Sequence, residues 1–431
     1  MVRNREIHYA SPEEIKLFQE ARLKETLNYL SENSPYYKRV FAENNIDIKD
    51  IVSLEDLQKL PVTTKEDLQR NYEDFLCCPK QKIVDYVTTS GTLGDPVTFG
   101  LTENDLQRLA YNEASSFTMV GLDSNDIMQL MTTLDRRFMA GLAYYMGASE
   151  LGCGIVRVGN GIPELQWDTI NRIKPTACMV VPSFITKLID YAEKHNIDYR
   201  NCSLKKAVCI GENLRNSNGE LTKLGQKINE KWQELELFTT YASTEMQSSF
   251  TECNAHEGGH IPLDLIIVEI LDEKGNAVPD GTAGEVTITT LGVEGMPLLR
   301  FRTGDICIRN SAPCKCGRNS ARLSSVLGRK GQMIKYKGTT LYPPALFDVL
   351  DNIPGIENYI IELYTNSLGT DQILVKVGSN NNSEAFVKQI KDAFRSRVRV
   401  APDIVFSPID LIAQQQMPPM SRKLVKFFDL R

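Results

Sequence analysis

A chain of 431 residues is too long for one ordinary hydrophobic core, so two or more domains are expected. Its 42% hydrophobic and 24% charged residues are ordinary for a globular protein, and its net charge of −6 argues against a nucleic-acid or anionic-membrane partner. No apolar run reaches the length of a membrane span, and ten scattered cysteines without an export signal favour a reduced, cytoplasmic protein.

The first predicted elements are helices. Residues 12–33 combine a serine N-cap, a proline at the first helical position, early acidic residues and leucines at helical spacing. Two shorter cap-and-helix starts are predicted at residues 53–57 and 64–68. The chain is therefore expected to open on helices before its first strand.

The chain is organised around a loop at residues 87–96 that is rich in glycine, serine and threonine. A strand-like run leads into the loop and a returning strand is predicted after it, which excludes the nucleotide-binding loop that ends in Gly-Lys-Ser/Thr and opens a helix. Gly91 and Gly94 permit close backbone approach, so the loop can direct several N–H groups at one phosphate. A hairpin turn rich in serine and threonine explains this stretch equally well.

Residues 102–260 alternate predicted helices with short apolar strands, a pattern typical of a parallel sheet covered by helices. Helices are predicted at residues 103–120, 140–151 and 183–195, and strands at 127–134, 154–158, 178–182, 206–210 and 235–241. Ligands of such folds bind beyond the carboxyl ends of the strands. Two polar segments at predicted strand ends are candidates: Gly211, Glu212 and Asn213, and Tyr241, Ala242, Ser243, Thr244 and Glu245.

From residue 262 the pattern changes to antiparallel strands, predicted at 266–271, 284–290 and 298–301. After Gly328 a mixed pattern follows, with helices predicted at 343–350 and 383–398 and strands at 359–364, 372–377 and 404–407. The prediction is an α/β protein with a large N-terminal domain at residues 1–329, whose β-rich part covers about 262–327, and a small α+β C-terminal domain at 330–431.

Four patches are more specific together than any one of them alone. They are Thr-Ser-Gly-Thr-Leu-Gly at 89–94, Tyr-Ala-Ser-Thr-Glu at 241–245, Arg-Thr-Gly-Asp at 302–305, and Gly328-Arg329 followed by Lys335 and Gly338. In this order they resemble the adenylate-forming superfamily of acyl-CoA ligases, and residues 295–305 and 423–431 narrow the resemblance to phenylacetate–CoA ligases. The resemblance runs nearly end to end and implies that superfamily's fold, with a small, mobile C-terminal domain.

The resemblance also implies an ATP site, from which AMP leaves after reaction. The loop residues Ser90, Gly91 and Thr92 would hold the β- and γ-phosphates, and Tyr241 would stack on the adenine ring. The full set of residues implied on the adenine side is Gly211, Glu212, Asn213, Tyr241, Ala242 and Ser243.

Four further residues are implied around the phosphates and the ribose. Thr244 would contact the α-phosphate, and Glu245 would hold Mg²⁺, a hard cation that favours carboxylate and phosphate oxygens. Asp305 would accept hydrogen bonds from the ribose hydroxyls, and Arg329 is expected near the nucleotide.

The family's C-terminal catalytic lysine corresponds to Lys423, with Lys426 as the alternative three residues on. Lysine suits a site that forms only on domain closure, because its charge sits on a flexible stem.

Two positions depart from the family pattern: Asp95 replaces a lysine of the phosphate loop, and Gly331 replaces an acidic hinge residue. Glycine can take the large φ/ψ changes of a hinge, so a pivot near residues 330–331 is still expected.

The implied activity is an ATP-dependent, AMP-forming acyl-CoA ligase that activates a carboxylic acid and transfers it to coenzyme A. The acid is aryl by resemblance, and its pocket is expected near residues 137–145 and 211–213. The partners are thus small molecules, without nucleic acid or membrane, and a homodimer is left open. Two alternatives are an adenylating ligase with another acceptor, a protein or a cofactor, and a catalytically silent nucleotide-binding protein, which Asp95 suggests.

A structural zinc site is predicted from Cys253, His260, Cys314 and Cys316, because three thiolates and one imidazole form a closed tetrahedral ligand set. His256 is the alternative histidine, and His260 is preferred because two glycines let the chain turn before it. Free cysteines in a reducing compartment are the simpler alternative, since the Cys-x-Cys spacing is tighter than that of common zinc motifs.

Overall fold

The computed structural model describes residues 3–89, 96–336, 339–366, 371–417 and 424–431. The chain divides into two compact units. The first comprises residues 1–303 and 307–325, and the second comprises residues 304–306 and 326–431. The predicted domain boundary at residues 329 and 330 stays a prediction. Among the described residues, no helix combines the length and apolar character needed to cross a membrane.

The first unit contains helices, one large sheet and a separate two-stranded sheet. Its α-helices are α1 (Pro12–Asn33), α2 (Pro35–Glu43), α3 (Lys65–Arg70), α4 (Glu103–Met119), α5 (Met139–Leu151), α6 (Pro163–Ile173), α7 (Pro182–Lys194) and α8 (Lys223–Lys231). Its strands are β1 (Ile83–Thr88), β2 (Thr98–Thr102), β3 (Ile127–Leu130), β4 (Gly154–Arg157), β5 (Ala177–Val180), β6 (Lys206–Cys209), β7 (Glu236–Ser243), β8 (Ser248–Thr251), β9 (Gly259–His260), β10 (Ile266–Leu271), β11 (Ala283–Thr290), β12 (Phe301–Asn310) and β13 (Arg322–Leu323).

The large sheet has the strand order β10-β11-β12-β13-β9-β8-β7-β6-β5-β3-β4. Strands β3 to β7 pair in parallel, as the alternating pattern predicts. From β7 onward the pairing with β8 and β9 is antiparallel, and so is the pairing of β10 with β11. The predicted β-rich segment therefore continues the large sheet that contains the parallel strands.

The parallel half of the sheet is buried on both faces. Trp167 on α6 stacks on Trp232 at the end of α8, with ring centroids 5.8 Å apart, in a core that α7 completes. A second cluster, with Phe117 of α4 and Tyr144 of α5, covers the other face. Helices on both faces explain why β5 is apolar along its whole length and β6 is apolar after Lys206.

Several strand predictions differ from the structure by more than one residue. The strand predicted at 127–134 already ends at Leu130. The strand predicted at 178–182 ends at Val180, because Pro182 takes the first position of α7, where its missing N–H loses no hydrogen bond. Strand β7 continues beyond the predicted residue 241 to Ser243. The strand predicted at 298–301 is wrong, because Arg300 has a φ of +47° and β12 begins only at Phe301.

The helical N-terminal segment follows the prediction in part. Helix α1 spans the predicted residues 12–33, and the Oγ of its N-cap Ser11 accepts a hydrogen bond from the backbone of Glu14 at 3.3 Å. The start predicted at residue 53 forms a short 3₁₀-helix, Leu54–Lys59, and not an α-helix.

The second unit is a small α+β body. Its strands are β14 (Gly328–Arg329), β15 (Ile334–Tyr336), β16 (Thr339–Leu341), β17 (Asn358–Thr365), β18 (Asp371–Gly378), β19 (Asp403–Phe406) and β20 (Phe427–Asp429), and its helices are α9 (Pro343–Asp351), α10 (Glu384–Val398) and α11 (Ile409–Gln416). Four strands form a sheet in the order β19-β18-β17-β20. The C-terminal strand β20, which the sequence pattern did not predict, pairs in parallel with β17.

A buried polar cluster lies between α4, α5 and β8 in the first unit. Glu113 is 4% exposed, and its carboxylate accepts a hydrogen bond from the amide of Asn112 at 2.9 Å. Burial raises the pKa of Glu113 to about 7, although hydrogen bonds from Ser249 and Asn112 oppose the rise. A Cβ added at Gly147 of α5 would lie 2.3 Å from the Cβ of Glu113, so α4 and α5 pack closely beside this residue.

We expect Glu113 to make the first unit less stable as pH rises. The folded state keeps its proton up to a pKa of about 7, whereas the unfolded chain loses it near 4.5, so stability falls between these values. Glu113→Gln removes this dependence, and relative to wild type it should gain about 3 kcal/mol between about pH 4 and pH 8.

Urea unfolding followed by tryptophan fluorescence measures the effect, because both tryptophans are buried in the first unit. Glu32→Gln, on an exposed position of α1, is the control and should keep the wild-type pH profile. Parallel profiles for wild type and Glu113→Gln would contradict the buried-acid explanation.

Candidate active site and metal centre

The two polar segments predicted at strand ends meet at the carboxyl edge of the parallel sheet. Strand β6 ends at Cys209, opposite Thr239 of β7, and residues 211–213 follow it directly. Strand β7 runs four residues further, to Ser243. Residues 211–213 and 241–245 therefore arise from neighbouring strands at the edge where α/β folds bind ligands.

Residues 244–247 form the tight turn between β7 and β8. Tyr241 pairs with Phe250 and Ser243 with Ser248, so Tyr241 lies within a strand and only Thr244 and Glu245 lie in the turn. The Oγ of Ser243 accepts a hydrogen bond from the backbone N–H of Met246 at 3.3 Å. The side chains of Thr244 and Glu245 are half-buried, which leaves part of each open to a ligand.

The segment after β6 has a structural role that the sequence did not indicate. The carboxylate of Glu212 accepts hydrogen bonds from the backbone N–H and the Oγ of Ser183, each at 2.8 Å, in the first turn of α7. A carboxylate at this point also interacts favourably with the helix dipole. Gly211 has a φ of +76°, which lets the chain leave β6 sharply before this cap.

The predicted phosphate loop has a well-defined stem. Strands β1 and β2 are antiparallel, and beyond them the N–H of Thr89 bonds to the carbonyl of Val97, and the N–H of Val97 to the Oγ of Thr89, each at 2.9 Å. This strand–loop–strand context is the predicted one. The site residues Ser90, Gly91 and Thr92, together with Asp95, lie outside the described residues.

Two predicted nucleotide residues form a pair in the second unit. Asp305 on β12 is opposite Arg329 on β14, and the Nε of Arg329 donates to the carboxylate of Asp305 at 3.2 Å. The carboxylate is 10% exposed and the guanidinium side chain 41% exposed.

The two candidate lysines differ in what the structure describes. Lys423 lies outside the described residues. The ammonium group of Lys426 donates to Tyr359 Oη at 3.1 Å and to the Asp351 carboxylate at 3.2 Å, and it lies 4.7 Å from the centre of the Tyr359 ring. Lys426 is thus held within the second unit by several contacts.

The four predicted zinc ligands converge in the first unit. The Sγ atoms of Cys253 and Cys314 are 3.6 Å apart, and the Sγ of Cys316 is 3.5 Å from Nε2 of His260. All four ligand atoms lie within 4.8 Å of one another. The topology explains the meeting, since His260 on β9 lies opposite Thr251 on β8, two residues before Cys253.

The surroundings of this cluster suit metal ligands. Burial lowers the pKa of His260 to about 3, so its ring is neutral at physiological pH, and Nδ1 is bonded to Ser320 Oγ at 2.8 Å, which leaves Nε2 facing the thiols. Burial raises the pKa of Cys316, but hydrogen bonds from Arg318 outweigh it and keep the pKa below its ordinary value. Burial raises the pKa of Cys253 to about 12, so without a cation this thiol stays protonated.

The alternative histidine, His256, is used elsewhere. Its Nδ1 lies 3.1 Å from the carboxylate of Glu252 and its Nε2 lies 3.4 Å from that of Glu236. His256 is not among the four residues whose ligand atoms converge. The preference for His260 thus agrees with the geometry of the cluster.

Sequence reasoning missed one buried residue behind the turn at 244–247. Arg108 of α4 is fully buried and donates to the backbone carbonyl of Gln247 in that turn. No motif marks this arginine, because its predicted helix contains charged residues on every side. Only the packing of α4 against β8 shows that it lies inside the fold.

Known proteins are similar to this chain in sequence and in fold. Residues 31–295 match the family model described as AMP-binding enzyme. A phenylacetate-coenzyme A ligase of Thermus thermophilus is 30% identical over 385 residues, which cover 88% of this chain and 84% of that protein. The phenylacetate-coenzyme A ligase of Escherichia coli K12 is 28% identical over 440 residues, which cover 99% of this chain and 97% of that protein.

Among solved structures, a 2-hydroxyisobutyryl-CoA ligase in the postadenylation state aligns with a TM-score of 0.83. The alignment covers 99% of this chain and 92% of that chain at 22% identity, and it confirms the predicted adenylate-forming fold.

The chain therefore belongs to the AMP-binding enzyme family. Within that family it belongs with the phenylacetate-coenzyme A ligases, as the match to the Thermus thermophilus enzyme over most of both chains shows. The enzyme class predicted from the sequence, an ATP-dependent acyl-CoA ligase that works through an acyl-adenylate, is confirmed.

Proposed function

We propose that this protein activates an aryl carboxylic acid of the phenylacetate type and transfers its acyl group to coenzyme A. The observation that carries the choice of acid is the 30% identity to a phenylacetate-coenzyme A ligase over 88% of this chain. The residues at the carboxyl edge of the sheet support the same class of chemistry, because both polar segments at that edge belong to the family pattern.

The proposed reaction has two steps. A carboxylate oxygen of the acid bonds to the α-phosphorus of ATP while the bond to the bridging oxygen breaks, and pyrophosphate leaves with the electron pair. The thiolate of coenzyme A then bonds to the acyl carbon, and AMP leaves. Carboxylates are poor electrophiles, so the protein's contribution is to align the reactants and to neutralise the phosphate charge.

Thr244 and Glu245 are the residues we assign to the α-phosphate and to Mg²⁺. Mg²⁺ would neutralise phosphate charge, and it prefers one or two carboxylates together with phosphate oxygens. The turn at 244–247 offers one carboxylate and one hydroxyl side by side, both half-buried, at the ligand-binding edge of the sheet.

Asp305 is the residue we assign to the ribose hydroxyls. Its ion pair with Arg329 orients the carboxylate, which suits an acceptor of two hydroxyl hydrogen bonds. Both residues belong to the family pattern, and they are opposite each other on paired strands.

Lys423 remains our candidate for the catalytic lysine of the adenylation step. Lys426 is the weaker candidate, because its ammonium group is already bonded to Asp351 and Tyr359. Releasing Lys426 for catalysis would leave the buried phenol of Tyr359 and a carboxylate without this partner.

Cys253, His260, Cys314 and Cys316 would hold a structural zinc ion. Zinc bonds of about 2.3 Å to sulfur and about 2.0 Å to nitrogen place tetrahedral ligand atoms about 3.5 to 3.8 Å apart. The measured separations of 3.6 Å between two sulfurs and 3.5 Å between sulfur and nitrogen fit this geometry.

All ten cysteines are described and none forms a disulfide, which supports a reducing, cytoplasmic setting.

Pyrophosphate exchange tests the proposed reaction. Labelled pyrophosphate should enter ATP only with a suitable acid, and phenylacetate should exceed short alkyl acids by at least tenfold in kcat/KM, about 1.4 kcal/mol. Adding coenzyme A should then yield thioester and AMP in equal amounts. Exchange without any thioester would favour a different acceptor, and binding of ATP without exchange for any acid would contradict the proposal.

Paired lysine variants test the assignment of Lys423. Lys423→Ala should slow adenylation by about 10² to 10³-fold, the cost of losing a preorganised charge at the reacting phosphate, and leave thioester formation from preformed acyl-adenylate nearly unchanged. Lys426→Met should instead mainly destabilise the second unit, because it removes the contacts to Asp351 and Tyr359. Equal loss of both half-reactions in Lys423→Ala would contradict the assignment.

Elemental analysis tests the metal. Protein purified without a polyhistidine tag should contain about one zinc ion per chain, and both His260→Gln and the double variant Cys314→Ser/Cys316→Ser should lose it. His256→Gln and Cys78→Ser are the matched controls, since neither residue belongs to the cluster. Absence of metal from the wild type, or its full retention in the double variant, would refute the site.

A further inference from the structure

Arg108, on α4, is a charged residue buried entirely inside the first unit, with 0% exposure. Its guanidinium donates to three backbone carbonyls: Nε to Leu291 at 2.9 Å, Nη2 to Leu265 at 2.6 Å, and Nη1 to Gln247. These carbonyls belong to three separate segments: one follows β11, one precedes β10, and one is the turn between β7 and β8. One side chain thus ties three loops together.

The charge of Arg108 is compensated mainly by carbonyl dipoles. No carboxylate of the described residues lies within ion-pair distance of its guanidinium, although Asp105 and Asp264 act on it from further away. Burial lowers the pKa of Arg108 to about 10, so the group is still charged at neutral pH. A guanidinium suits this position because its donors form a rigid, planar fork that reaches several acceptors at once.

The bond to Gln247 acts on the turn that carries Thr244 and Glu245. Gln247 has a φ of +47°, a left-handed conformation that a residue with a side chain adopts only when its surroundings hold it there. Its own amide gives weak support, since Nε2 is 3.5 Å from the carbonyl of Met296 and Oε1 is buried without a partner. The bond from Arg108 to the carbonyl of Gln247 therefore restrains the end of the turn from within the fold. It acts beside the hydrogen bond that Ser248 Oγ donates to the carbonyl of Met246 at 2.9 Å.

We infer that Arg108 is a positioning residue that holds the turn at 244–247 in the conformation that binds Mg²⁺ and ATP. This inference rests on the proposed roles of Thr244 and Glu245 and extends them to a residue that touches neither ligand. Loss of the fork frees the carbonyl of Gln247, so the turn that carries Glu245 two residues earlier loses one of its restraints. Mg²⁺ demands near-ideal octahedral geometry, so its binding is the quantity most sensitive to such a change.

The test compares Arg108→Lys and Arg108→Met with Ile170→Ala. Lysine keeps the positive charge but lacks the planar fork of donors, and methionine lacks both. Ile170→Ala is the control, because it destabilises a core position on α6 that does not contact the turn. The measurement is equilibrium binding of a non-hydrolysable ATP analogue over a Mg²⁺ titration. Tryptophan fluorescence shows which variants are folded, because both tryptophans lie in the first unit.

We expect the Mg²⁺ concentration for half-maximal binding to rise at least tenfold in Arg108→Met and less in Arg108→Lys. In Ile170→Ala it should stay within about twofold of wild type at a comparable loss of stability.

If Arg108→Met does not fold, Arg108→Lys decides the question alone, with an expected rise of at least threefold. A Mg²⁺ midpoint in Arg108→Lys equal to those of wild type and Ile170→Ala would overturn the inference. Normal Mg²⁺-dependent binding in wild type without pyrophosphate exchange would instead count against the proposed reaction alone.

Discussion

The change of strand direction at β7 is the constraint on which the first unit's site depends. On one side β7 pairs in parallel with β6, and on the other it pairs antiparallel with β8. A parallel neighbour requires a crossover, so the chain after β6 leaves the sheet, whereas an antiparallel neighbour needs only a tight turn. Residues 211–213 and the turn at 244–247 therefore lie at the same edge, one as the start of a crossover and the other as a hairpin.

Buried polar groups, and not apolar packing alone, fix the loops at this edge. The carboxylate of Asp105 is fully buried and accepts hydrogen bonds from the backbone N–H groups of Glu294 and Gly295, at 2.7 and 2.9 Å. Arg108, one helical turn later, holds three carbonyls in the same way. An unpaired buried polar group is costly, so each such side chain restricts the loops to conformations that present their backbone groups to it.

The sequence predicted the elements with strong periodicity and missed those set by long-range contacts. The capped helix α1 and the alternation of helices with parallel strands are local patterns, and both are present. Strands β8 and β9 were not predicted, because β8 contains a single apolar residue, Phe250, and β9 has just two residues. The sequence predicted from residue type that Cys253 and Cys314 lie together as metal ligands. Only the structure explains why His260 contacts the thiols and His256 does not, because β9, which carries His260, pairs with β8 and β13.

Strand β8 connects the turn at 244–247 with the cysteine cluster of the first unit, so a metal bound at the cluster would act on the same strand as the turn. Gln247 precedes β8 and Cys253 follows it by two residues, so Arg108 acts on one end of the strand and the cysteine cluster on the other. Between them, the buried carboxylate of Glu252 accepts the backbone N–H of Thr239 on β7 at 2.8 Å. A strand of four residues cannot slip at one end without moving the other, because a shift by one residue would turn every side chain to the opposite face. A zinc ion bound by the cysteine cluster would thus help to fix the register that places Thr244 and Glu245 at the edge of the sheet.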